Sequence, residues 1–141
     1  MTTPDPVSIT EHITTAYPDT DVVTIEGASF FSLDADKHWP NFATIVWSDE
    51  TDLASDLMRE GVFRLNMGVS RATFDRLVAS VPEPDPRTLD RILPHPFYAR
   101  QHWLSILSPS AATFAEVAVP LLADAHDRLA VERTRHARTA G

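Results

Sequence analysis

Cysteine is absent from this 141-residue chain. That one absence removes disulfide stapling, thiolate–zinc sites and thiol redox chemistry together, and it suits a reducing cytosol. Glycine is scarce: four residues, scattered too widely for a Gly-x-Gly-x-x-Gly fingerprint or a loop that cradles phosphate. No Gly-x-Ser-x-Gly nucleophile elbow occurs. A single lysine stands against eleven arginines. Apolar runs stay far below the ~18 residues that mark a membrane span. The opening MTTPDPVSITEH has neither the basic nor the apolar region of a secretory leader. A cytoplasmic protein with no membrane partner is expected.

What is present is ordinary for a globular protein. Apolar residues make up 43% and charged residues 23%, enough for a core and wrong for a disordered chain. A single domain over 1–141 is expected, with an ordered core from about 8 to 132 and a basic tail from 133 to 141. The net charge is −8, and it is unevenly spread: all twenty carboxylates lie within residues 1–132, whereas three of the twelve basic residues (Arg133, Arg135, Arg138) lie beyond. Nine basic residues against twenty carboxylates leave the body at −11. Such a surface repels phosphate backbones, so no nucleic-acid partner is expected. The terminal arginines read as cations offsetting a helix dipole.

The patterning predicts an α+β fold. Ser8-Ile-Thr-Glu11 reads as a capping box opening a helix that Pro18 ends. Val22–Ile25 and Phe30–Leu33 read as strands of a hairpin about Gly27, and Phe42–Trp47 as a third strand. Val62–Val69 alternates: Phe63, Leu65, Met67 and Val69 point one way, Arg64, Asn66 and Gly68 the other. Ser70 is the natural cap of a second helix. Pro82–Pro86 and Pro94-His-Pro96 read as stiff connectors. Gln101–Leu107 is a fifth strand, and a long amphipathic helix follows Ser110, with Pro120 set to kink or split it. The order α-β-β-β-β-α-β-α predicts an antiparallel sheet of about five strands with the terminal helices packed on one face.

Three stretches carry a resemblance: Gly61-Val-Phe-Arg-Leu-Asn-Met-Gly-Val-Ser70, Leu93-Pro-His-Pro-Phe-Tyr98 and Trp103-Leu-Ser-Ile-Leu-Ser-Pro109. Together they resemble an uncharacterised bacterial family, a domain of unknown function, over roughly residues 8–130. That resemblance carries over no functional residue. More remotely, the succession of strands, a tryptophan-bearing strand and a terminal helix is similar to MmcQ/YjbR-like proteins with a frataxin-like double-wing fold. The DNA binding that this second likeness implies sits badly with the acidic body.

The chemical inventory is short. Six histidines show no spacing that sets two imidazoles on one helical face, and no metal or cofactor is expected. Asp49, Glu50, Asp52 and Asp56 read as a solvated acidic loop. The constellation that stands out is Arg64 and Asn66, projecting together from the polar side of their strand, with His95 and Tyr98 on a rigid turn. A guanidinium, an amide, an imidazole and a phenol in one pocket would suit a small anionic or planar ligand. The alternative for Arg64 is a structural pair with Asp49 or Asp52. Trp39, in a His-Trp-Pro turn, is a candidate anchor for a ligand or protein partner. The reading that follows is a non-catalytic binding or regulatory module. The other reading is a small metal-independent hydrolase or isomerase using His95 and Tyr98, with Arg64 in the pocket.

Overall fold

The first helix, α1 (Pro6–Ala16), begins ahead of the Ser8 signal in the computed structural model. The structure describes residues 3–33, 40–48, 55–79, 81 and 84–140, with side chains described as far as 134. Asp5 is the cap: its carboxylate accepts the Ser8 N–H at 2.7 Å, and the Ser8 hydroxyl accepts the Asp5 N–H at 3.0 Å. The capping box is thus Asp5–Ser8 instead of Ser8–Glu11. Pro6 explains the shift, since its fixed φ suits the first helical position and its missing N–H would have gone unpaired there.

Six antiparallel strands form one open sheet in the order β1-β2-β3-β4-β6-β5. They are β1 (Asp21–Ile25), β2 (Ala28–Ser32), β3 (Asn41–Val46), β4 (Arg64–Gly68), β5 (Ile92–Pro94) and β6 (Trp103–Leu107). The α+β class holds, but the expected five strands become six, because Pro94 lies in a strand and not in a turn. The register explains how. Leu93 pairs with Ser105, and the His95 N–H donates to the Trp103 carbonyl at 3.0 Å. Pro94 falls between those two bonded positions, so its missing N–H faces the outer edge and breaks no ladder bond.

The alternation read in β4 is the one the sheet uses. Leu65 and Met67 meet Ile45, Leu104 and Ile106 on one face, and Ile9, Ile13 and Phe74 from the helices complete that core. Each such fully buried aliphatic or aromatic side chain stabilises the fold by roughly 1.5–3 kcal/mol relative to exposure. On the opposite face Ala28, Val46 and Leu57 make a smaller apolar cluster. Gly68 is required there: a Cβ would lie 2.7 Å from Trp103 Cε2, so the indole lies directly over the glycine backbone.

The C-terminal helix departs from ideal geometry where proline demands it. After α3 (Ala111–Thr113) the chain is π-helical over Phe114–Ala118, then resumes as α4 (Val119–Ala140). Pro120 has no N–H for the Glu116 carbonyl, and the widened turn makes room for its ring without breaking the helix. Leu121, Leu122, Ala125 and Leu129 are buried on its inner side. The stretch beyond 132, expected as a tail, is helical to Ala140.

Two helix starts share one device. Ser70 caps α2 (Arg71–Val78) by accepting the Thr73 N–H, and Ser110 caps α3 by accepting the Thr113 N–H. In each case the serine's own N–H is taken at 2.7 Å by a distant carboxylate, Asp124 for Ser70 and Asp90 for Ser110. Asp124 also accepts the Thr73 hydroxyl at 3.0 Å, which ties α4 to the start of α2. Asp124→Ala is therefore expected to cost about 1–2 kcal/mol in urea denaturation. The Ser110 N–H, with the Thr113 and Ser110 hydroxyls behind it, holds the Asp90 carboxyl below the usual carboxylate range. A depressed carboxyl stabilises the fold above its unfolded value and loses that contribution as pH falls through the folded one. Loss of stability on acidification below about pH 4 should be shallower in Asp90→Asn; an unchanged slope removes Asp90 from the acid response.

Candidate functional site

Thr44, Asn66 and Ser105 stand directly opposite one another across β3, β4 and β6. The register therefore builds a polar row into the face away from the main core. Asn66 is its hub. Its Oδ1 accepts from Arg64 Nε at 2.9 Å and from the Ser105 hydroxyl at 2.7 Å, and its Nδ2 donates to Thr44 Oγ1 at 2.9 Å. Guanidinium nitrogens only donate, which fixes the orientation of the amide. Arg64 Nη1 donates to Ser55 Oγ at 2.9 Å. Arg64 is 2% exposed and heads the fully buried side chains by volume, and Asn66, Ser105 and Ser55 are buried with it. Arg64 and Asn66 are thus brought together, as the alternation implied, but as part of the packed interior.

His95 and Tyr98 form a second, separate group. His95 is 5% exposed, and its Nδ1 accepts the backbone N–H groups of Phe97 at 3.0 Å and Tyr98 at 3.1 Å. That use of the Nδ1 lone pair places the ring proton on Nε2. The imidazole lies 4.9 Å from the Tyr98 ring and 6.4 Å, edge-on, from Trp103. Two strand spacings and four residues separate His95 from Arg64, about 16 Å between backbones. The structure does not bring them into one pocket.

Side-chain exposure reverses past Pro96. Phe97 and Tyr98 are 58% and 56% exposed, side by side on a turn held from beneath by the buried imidazole. Phe97 is the residue that sequence reasoning missed. The signal was there, an aromatic pair after His-Pro, but nothing in the pattern says which ring is buried. Trp39, Asp49 and Asp52 lie outside the described residues. Asp56 is described, and its carboxylate lies 3.7 Å from Arg59 Nε. Among the described residues no three histidine or carboxylate side chains converge at metal-binding distance. No helix among them is long and apolar enough to cross a membrane.

With this arrangement in view, the comparisons place the chain by family. The model of a family of unknown function matches residues 3–140. The chain belongs to that family, DUF6194. No curated protein and no solved structure matches it.

Proposed function

We propose that this protein is a non-catalytic recognition module whose presenting element is the turn from Pro96 to Tyr98. One observation carries the reading: a buried imidazole takes both backbone N–H groups of a turn whose two aromatic side chains stand in solvent. Rigid aromatic rings with few rotatable bonds are efficient binding anchors, and a turn fixed in advance lowers the entropy lost on association. The polar groups that a small hydrolase would need are engaged elsewhere. Arg64 and Asn66 bond to each other, and His95 spends Nδ1 on the backbone. The absence of cysteine supports a cytoplasmic setting for the module.

The test compares wild type with Phe97→Ser/Tyr98→Ser as immobilised baits in cell extract. Both changes are at exposed positions, so the variant should keep its stability to within about 1 kcal/mol. The expected result is loss of specifically captured proteins from the variant alone. An identical capture profile from a folded variant overturns the assignment of this turn.

A further inference from the structure

We propose that the β1 edge of the sheet is a self-association surface, on which a second copy of this chain pairs antiparallel about Val23. The surface lies at the opposite edge of the sheet from β5 and the Pro96–Tyr98 turn. The two edges meet solvent differently. β5 is three residues long and ends in Pro94, a common means of discouraging another strand. β1 runs Asp-Val-Val-Thr-Ile, five residues in unbroken register with β2, with neither proline nor lysine. It is a β-branched edge without that protection.

The hydrogen bonding of β2 fixes which groups that edge presents. The Trp47 N–H donates to the Gly27 carbonyl at 2.9 Å, so Gly27, Ser29 and Phe31 turn their backbone groups toward β3. Ala28, Phe30 and Ser32 then turn theirs toward β1, where they meet Ile25, Val23 and Asp21. Val22 and Thr24 are left with an N–H and a carbonyl each directed outward, and among the described residues no strand pairs with that side.

Such an edge accepts its own copy in one register. Centred on Val23, Val22 of each copy exchanges both backbone bonds with Thr24 of the other, so every outward group of the strand is used. Centring on Val22 would call on the Thr20 N–H, which the Tyr17 carbonyl already takes at 3.0 Å. Centring on Thr24 would set Val22 against Glu26 in the turn. The Val23 register also suits the side chains. Asp21 falls opposite Ile25 and Glu26 opposite Thr20, so no carboxylate faces another. Val23, half-buried across from Phe30, meets its own copy, and Ile25, 59% exposed, lies diagonally against it. The smaller apolar cluster of Ala28, Val46 and Leu57, which Phe30 joins, continues across the junction. A foreign strand would find the same hydrogen bonds but not this matching of side chains.

The lack of cysteine makes a sharp test available. Directly opposite residues that share no hydrogen bonds have Cα atoms about 4.5 Å apart, within disulfide range. Val23→Cys is therefore expected to give a disulfide-linked dimer under mild oxidation. Thr24→Cys is not, because its own copy lies two residues out of line, beyond that range. Sedimentation velocity of the full chain should show a monomer–dimer equilibrium that moves toward dimer with concentration, in the weak range of a small interface. Thr24→Pro removes an outward N–H from each copy without touching the ladder to β2, and should weaken the dimer about tenfold or more. Added salt should tighten it, since two acidic bodies are brought together. A chain that stays monomeric at every concentration overturns the proposal. So does a dimer indifferent to Thr24→Pro, or a Val23→Cys variant that links no faster than Thr24→Cys. If the proline variant fails to fold, the comparison of the two cysteine variants still decides. A monomeric chain whose folded Thr24→Pro variant loses proteins captured from cell extract assigns the edge to a foreign strand, and the second copy falls.

Discussion

Asn66→Leu is expected to destabilise the protein by about 3–5 kcal/mol, because three buried partners lose their hydrogen bonds to it at once. Leucine has the same branched outline as asparagine and is somewhat larger, so the loss is not that of a cavity. It comes from the partners left behind. Arg64 Nε and the Ser105 hydroxyl both donate to Asn66 Oδ1, and Thr44 receives its amide. Asn66 and Ser105 are each 1% exposed, so water cannot replace the bonds. Asn66→Asp is the control. Its carboxylate still accepts from Arg64 and Ser105, and the Thr44 hydroxyl can turn to donate, so the loss should be only about 1 kcal/mol. Urea denaturation of the three proteins measures both values. A leucine variant within about 1 kcal/mol of wild type would remove Asn66 as the hub.

Much of this face was legible before any coordinates. Alternation from Phe63 to Val69 is enough to put Arg64 and Asn66 together on the side away from the core, because a strand has a period of two. Ser70 and Ser110 were legible as caps for an equally local reason, a hydroxyl next to unpaired amides. What was illegible is non-local. Ser105 and Thr44 become partners of Asn66 only once the register sets three strands side by side, and Ser55 reaches Arg64 from a different segment. The carboxylates of Asp90 and Asp124 cap helices 20 and 54 residues away in sequence. β5 was missed because a three-residue strand ending in proline carries almost no periodic signal, and the edge position that tolerates the proline exists only in the assembled sheet. His95 and Tyr98 were grouped with Arg64 on residue type alone. The sheet sets β6 between them.

Arg64→Ala is expected to cost about 3–5 kcal/mol, through a cavity on this face of the sheet and the loss of its hydrogen bonds. Arg64 is the largest of the fully buried side chains, so truncation empties a volume that the strand backbones cannot collapse into. Arg64→Met separates volume from charge. Methionine refills most of the space, and exchanging a buried ion for a hydrophobic group of similar size is often close to neutral. Ser55 Oγ and one lone pair of Asn66 would still lose a donor, so the methionine variant should fall about 1–2 kcal/mol below wild type. The losses should also be local. Arg64 Nη1 holds the Ser55 hydroxyl, so amide hydrogen exchange near Ser55 and Leu57 should speed up in the alanine variant more than exchange in β1. Alanine and methionine variants of equal stability would show that the guanidinium's bonds matter and its volume does not. An alanine variant as stable as wild type would show that Arg64 is not structural at all.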